Sequence, residues 1–227
     1  MDVHGAIDDL RRSALFGVAG PESLRVLASR AYVRRFAAGQ IVFTEGEPSD
    51  HLYVVRGGRV RIFVASAHGD ELTLTVLTVG DSIGELSIID EQPRSASAAA
   101  IEATELLTIG ADSMRAALTA DPALLWTVAG ELAATVRRLT GSAGDMVFLD
   151  LPRRLAKLIV AEATAGNDGA LRVELGMSQS GIAARLGVTR QSLNRALTGL
   201  ARRGWISARG HGYVIEDLPS LRRFADS

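Results

Sequence analysis

Two short stretches of the chain carry side chains that could hold an anion or read one. The first is Gly80-Asp81-Ser82-Ile83-Gly84-Glu85-Leu86-Ser87, followed after Gln92-Pro93 by Arg94-Ser95. Glycine lets backbone N–H groups approach an anion closely. A short helix begun there aims its positive end at a phosphate, and one arginine completes the cradle. Glu85, beside these groups, can accept from a sugar hydroxyl. Gly-Glu-Leu with a downstream arginine is a weak pattern alone, because a surface turn with a solvated arginine looks similar.

The second stretch is more specific. A helix with Ile182, Ala183 and Leu186 on its inner face, opened by Ser178, is followed by a tight turn at Gly187. Thr189 then caps a second helix, and Leu193, Ala196, Leu197 and Leu200 hold it to a core. Two short helices with a turn of about three to four residues are a helix-turn-helix. The outer face of the second helix presents Arg190, Gln191, Asn194 and Arg195. Arginine bonds bidentately to guanine O6 and N7, while glutamine and asparagine suit adenine N6 and N7. Ser178, Gln179, Thr189 and the helix N-terminal amides are placed for phosphates. A three-helix core without DNA would bury the same leucines, but it would not require an outer face rich in donors and free of carboxylates.

Charge supports this division of labour. Formal net charge is −1 over 227 residues, yet the segment Leu175–Ile215 has six arginines and no Asp or Glu, which leaves −7 for the rest. An acidic body with a basic C-terminal module is an electrostatic footprint of nucleic-acid binding. The chain has no cysteine, which removes disulfides, thiolate zinc sites, iron–sulfur clusters and cysteine nucleophiles, and fits a reducing cytoplasm. His4, His51, His68 and His211 are scattered without metal-ligand spacing, so no metal or heme is expected either. No nucleophile–base pair emerges, which argues against an enzyme. The acidic N-terminus has no apolar h-region, and no run approaches the ~20 apolar residues that span a bilayer, so no membrane association is expected.

The elements around these stretches follow from periodicity. The first thirty residues read as short helices, with Gly20-Pro21 as punctuation. From Tyr32 to Ile109, short turn-bounded runs are rich in Val, Ile, Leu, Thr and aromatics: Gln40–Thr44, Leu52–Arg56, Arg59–Ala65 and Leu72–Val79, with polar/apolar alternation beginning Arg59–Val64 and cleaner in Leu72–Val76. Antiparallel strands at this spacing form a sandwich or small barrel, and Gly57-Gly58 signals a hairpin between two of them. The helical period returns from Ala111. Leu125, Ala129, Leu132, Val136, Leu139, Ala143 and Met146 step by 4, 3, 4, 3, 4, 3, a heptad seam suited to a two-stranded coiled coil and hence a homodimer. A helix packing that stripe on its own domain is the alternative. Phe148-Leu149-Asp150-Leu151-Pro152 ends the helix, because the residue before a proline leaves α geometry. Arg153–Ala165 is then helical, Gly166–Gly169 a turn, Leu171–Glu174 a strand, and Trp205–Ile215 a hairpin or wing.

These motifs together resemble the cyclic-AMP receptor protein branch of the bacterial cyclic-AMP receptor/fumarate–nitrate regulator family of transcription factors. The likeness spans nearly the whole chain: Gly84-Glu85-Leu86-Ser87 with Arg94-Ser95, the long helix, the Phe148-Leu149-Asp150 hinge, and Val188-Thr189-Arg190-Gln191-Ser192-Leu193-Asn194-Arg195. It implies an α+β architecture: an antiparallel β-roll (jelly-roll) cyclic-nucleotide-binding domain with N-terminal helices over residues 1–119, a dimerisation helix and hinge over 120–149, and a winged helix-turn-helix over 150–227. It also implies that Glu85 takes the ribose 2′-hydroxyl while Gly84, Arg94 and Ser95, within a pocket that includes Leu86 and Ser87, hold the cyclic phosphate. Arg190, Gln191 and Arg195 would read base edges. The family usually carries threonine and then serine or asparagine where this chain has Leu139 and Thr140, which would face adenine. Leu139 cannot hydrogen-bond a purine and completes the seam instead. Gln191 stands where cyclic-AMP receptors commonly have glutamate.

The implied function is a homodimeric transcription regulator whose affinity for two-fold DNA half-sites is set by cyclic AMP, with RNA polymerase as a further partner. A regulator of the same fold that is constitutive or takes another effector is the alternative that Leu139 raises. A nucleotide-binding module acting on a partner protein is the third.

Overall fold

The computed structural model describes residues 3–165, 171–173, 179–210 and 212–226. Two helices open the chain, α1 (Val3–Arg12) and α2 (Pro21–Ser29), the latter with proline in its first turn, where the missing N–H costs nothing. Eight strands and two short helices follow: β1 (Tyr32–Phe36), β2 (Ile41–Phe43), β3 (His51–Gly57), β4 (Val60–Ala65), β5 (Glu71–Leu77), β6 (Ser82–Ile83), α3 (Glu85–Ile89), β7 (Ser97–Ala100), β8 (Thr104–Gly110) and α4 (Ala111–Ala120). The long α5 (Pro122–Phe148) comes next. The remainder comprises α6 (Leu151–Ala161), β9 (Thr164–Ala165), β10 (Leu171–Val173), α7 (Gln179–Leu186), α8 (Arg190–Arg202), β11 (Ile206–Arg209), β12 (Gly212–Ile215) and α9 (Leu218–Asp226). The chain divides into two compact units, one running up to Asp70 and over Leu74–Val136, the other comprising Glu71–Thr73 and the chain from Arg137 onward, so that the main division falls inside α5.

Strands β1 to β8 form two four-stranded sheets, ordered β1-β8-β3-β6 and β2-β7-β4-β5. Alternation decides which core each residue enters. On β3, Tyr53 and Val55 join Phe36, Phe43, Val60, Ile62, Ala98 and Leu106 between the sheets. Leu52 and Val54 point the other way, into a cluster with Leu10, Leu24, Leu27, Met114, Leu124 and Val128 from the helices. A strand buried on both faces thus reads as a continuous apolar run. Gly57-Gly58 does not make the expected hairpin, because β3 and β4 belong to different sheets. Gly58, at φ 79°, lies so close to residues 103 and 104 that a Cβ would sit 2.5 Å from the Ala103 carbonyl oxygen. The glycine pair serves a close main-chain crossing between sheets.

The second unit packs α6, α7, α8 and α9 with the sheet β11-β12-β10-β9 around Leu155, Ile159, Ile182, Leu193, Leu197, Leu200 and Leu221. Asp150 caps α6 by accepting from the Arg153 N–H at 3.0 Å. α6 stops at Ala161, four residues short of the expected end. The expected turn at 166–169 lies outside the described residues. The wing is present as β11 paired antiparallel with β12, Arg209 opposite Gly212. α9 follows the wing, with Leu221 and Ala225 buried.

Candidate nucleotide and DNA sites

Gly84 opens α3 in the left-handed region, at φ 95° and ψ 11°. That conformation is nearly free only for glycine, and space demands glycine too: a Cβ there would stand 2.1 Å from Arg94 Nη1. The Arg94 guanidinium donates through Nη1 to the Gly84 carbonyl at 3.1 Å and through Nη2 to the His51 carbonyl at 2.7 Å. Its carbon lies 4.1 Å from the centre of the Phe43 ring and 5.6 Å from that of Tyr53. Arg94 is 5% exposed. The main chain of Arg94 is also fixed, donating to the Glu47 carbonyl and accepting from the Gly46 N–H, both at 2.9 Å.

A cation so enclosed is short of water. Burial lowers the Arg94 pKa, against the Tyr53 hydroxyl, Glu85 and Asp50, which raise it. Burial likewise raises the Glu85 carboxyl above its ordinary value, while the N–H groups of Glu85 and Gly84 and the Arg94 charge pull it down, and Glu131 pushes it up. A buried charge is costly unless it meets an opposite one. The site therefore favours an incoming anion beside Arg94, and a hydroxyl donor for Glu85.

The structure brings Gly84, Glu85 and Arg94 together as expected. Ser87 is buried on α3, whereas Leu86 and Ser95 are exposed. Phe43, Tyr53 and the His51 carbonyl were not anticipated. Nothing but strand alternation marks them, and spacing along the chain does not predict that positions 43, 51 and 53 surround position 94. Leu139 and Thr140 lie on α5 and are both exposed.

Along α5, Leu124 and Val128 are buried in the first unit's core, and Leu132 packs partly against it. The adjoining stripe is uncovered: Leu125, Ala129, Val136, Leu139, Ala143 and Met146 are exposed, Val136 at 62%. The alternative of a seam closed on its own domain therefore holds only for Leu132. Gly141 and Gly144 do not interrupt the 27-residue helix.

In the second unit, Gly187 turns the chain at φ 65°, donating to the Ala184 carbonyl. Thr189 Oγ1 accepts from the Ser192 N–H at 3.2 Å and so caps α8, a contact worth ~1 kcal/mol. With Leu193, Ala196, Leu197 and Leu200 buried, Arg190, Gln191, Asn194 and Arg195 are all exposed on α8. Arg190 Nε donates to Gln179 Oε1 at 3.3 Å, which joins two of the expected DNA-binding side chains across the motif. Arg185 pairs with Glu162, and Arg203 lies over the rings of Trp205 and Phe224. Ser178 lies outside the described residues. Among the described residues no helix is long and apolar enough to cross a membrane.

Comparison with known proteins finds a matching domain over each of these two regions. Residues 33–121 match the cyclic nucleotide-binding domain, and residues 153–224 match the Crp-like helix-turn-helix domain. The chain is 34% identical over 219 residues to the CRP-like cAMP-activated global transcriptional regulator of Mycobacterium tuberculosis, covering 95% of this chain and 98% of the relative. It is 30% identical to the Cyclic AMP receptor protein of Thermus thermophilus, over 86% of this chain and 88% of the relative. Among solved structures, the c-di-GMP-responsive global regulator CLP of Xanthomonas campestris superposes with a TM-score of 0.75 at 22% identity, over 87% of this chain and all of that one.

Proposed function

The chain belongs to the Crp-like family of transcription regulators, built from a cyclic nucleotide-binding domain and a Crp-like helix-turn-helix, and from that premise we propose that it is a homodimer whose binding to two-fold DNA half-sites is set by cyclic AMP. It is a regulator and not an enzyme. The observation that carries the effector reading is Arg94, 5% exposed, whose guanidinium donates to the carbonyl of a glycine at φ 95° that directly precedes the half-buried Glu85. A cyclic nucleotide supplies a phosphate charge and a ribose hydroxyl together. Arg94, Gly84 and Ser95 hold the phosphate and Glu85 the 2′-hydroxyl, with Leu86 and Ser87 completing the turn and Thr140 facing the base. The relatives named for cyclic AMP support this choice of effector.

The exposed stripe of Leu125, Val136, Leu139, Ala143 and Met146, with Leu132, supports the dimer. In it, two α8 helices enter successive major grooves about 34 Å apart. Arg190, Gln191, Asn194 and Arg195 meet base edges, and Gln179, Thr189 and Ser178 meet phosphates. Gln191 favours adenine at a position where a carboxylate would favour cytosine. Residues 1–119, 120–149 and 150–227 are then the sensing, dimerising and reading parts. The regulator acts in the cytoplasm, with RNA polymerase as its further partner.

Leu139 favours a second reading, in which another effector or none is used, since it offers a purine no polar atom. The experiment is a DNA titration with and without cyclic AMP. We expect the nucleotide to tighten binding at least tenfold; equal affinities would show that it does not discriminate between the protein's states.

A further inference from the structure

Of the 25 basic residues, Lys157 alone is a lysine. It stands on α6, and its Nζ donates to Asp145 Oδ1 on the last turn of α5 at 2.6 Å. A carboxylate in a helix's final turn faces the negative end of the helix dipole and is unfavourable there on its own. The Lys157 ammonium offsets that cost for Asp145.

The chain between these helices is short. Leu149 donates its N–H to the Asp145 carbonyl at 3.0 Å, and Asp150 already caps α6. Leu149 and Asp150 are left as the swivel, and the Asp145–Lys157 pair spans it. α6 in turn grips the helix-turn-helix. Arg154 Nη1 donates to the Leu186 carbonyl at the end of α7 at 3.1 Å. Leu155, Ala156 and Ile159 are fully buried in one cluster with Leu193, Ala196 and Leu197 of α8. Whatever sets the tilt of α6 on α5 sets the aim of α8.

We propose that the Asp145–Lys157 ion pair is a positioning contact that fixes the angle between α5 and α6, and thereby how the recognition helix is presented to DNA. The inference rests on the nucleotide-controlled DNA binding proposed above. Half-exposed ion pairs contribute little to folding. Coupling between sites is itself a small free energy, so a contact of this size alters regulation without unfolding the protein.

The test reads the ratio of DNA dissociation constants without and with cyclic AMP, in the full-length protein. Lys157→Met and Asp145→Asn should each shift that ratio about two- to fivefold, in the same direction, with melting temperatures little changed. Lys157→Arg should keep the wild-type ratio, and Asp145→Lys combined with Lys157→Asp should restore it. The lone lysine also permits a chemical version on the unmutated chain. Acetylation, which removes the side-chain charge, should reproduce Lys157→Met, and reductive methylation, which keeps it, should not. A responsive wild type whose ratio is the same in every variant overturns the proposal. A wild type indifferent to the nucleotide overturns the effector reading instead. In that case the clamp stands only if the two neutral variants shift DNA affinity itself, and falls if they do not.

Discussion

At position 84 two independent constraints act on one residue. The backbone is left-handed, and the space a Cβ would take is filled by Arg94 Nη1 at 2.1 Å. Gly84→Ala must therefore bend the main chain or expel the guanidinium, and a strained φ alone costs on the order of 1–2 kcal/mol. We expect calorimetry to show cyclic-nucleotide affinity reduced at least tenfold, while affinity for non-specific DNA, which depends on the second unit, stays unchanged. Gly84, Glu85 and Arg94 could be picked out from residue type and order, because chemistry that holds an anion uses few residue types. The aromatic cage could not. Phe43 and Tyr53 look like ordinary core residues of alternating strands, and it is the pairing of strands far apart in the chain that turns their faces towards Arg94.

Among the elements, helices announced themselves best. The heptad of α5 was readable because seven apolar positions kept step, and the structure leaves most of them uncovered in the single chain. Placing a carboxylate in that stripe should separate the protomers. Val136→Glu, at a position 62% exposed, is expected to fold normally and to sediment as a monomer at concentrations where the wild type is a dimer; an unchanged dimer would remove the seam from the interface. Strands were harder. β7 is Ser97-Ala98-Ala99-Ala100, and alanine has little intrinsic preference for a strand. It is held there by β2 and β4 on either side, information no local window contains. Gly57-Gly58 failed as a hairpin signal for a related reason: glycine reports a backbone need, and here the need was a close crossing of sheets rather than a two-residue turn.

At the scale of the whole molecule, the uneven charge seen in the sequence survives folding with some of it spent. Arg185 is neutralised by Glu162 and Arg203 is stacked on aromatic rings, whereas Arg190 and Arg195 remain on the outer face of α8. Binding driven by phosphate neutralisation releases counterions, so DNA affinity should fall at least about tenfold between 50 and 200 mM salt. An affinity flat with salt would mean that the arginines are not at the DNA. The root of α5 is held firmly in the first unit. Asp121 accepts from the N–H groups of Gly20, Ala123 and Leu124 at 2.8, 3.1 and 3.2 Å, and Leu124 and Val128 are sealed in the core, so the first turns are bolted down. After Leu132 none of the α5 residues is buried, a run of about 16 residues and roughly 24 Å of helix. Geometry alone then magnifies any tilt at the fixed end: a swing of about 5° at the bolt carries the tip at Phe148 some ~2 Å sideways, more than enough to move a side chain off the edge of a base.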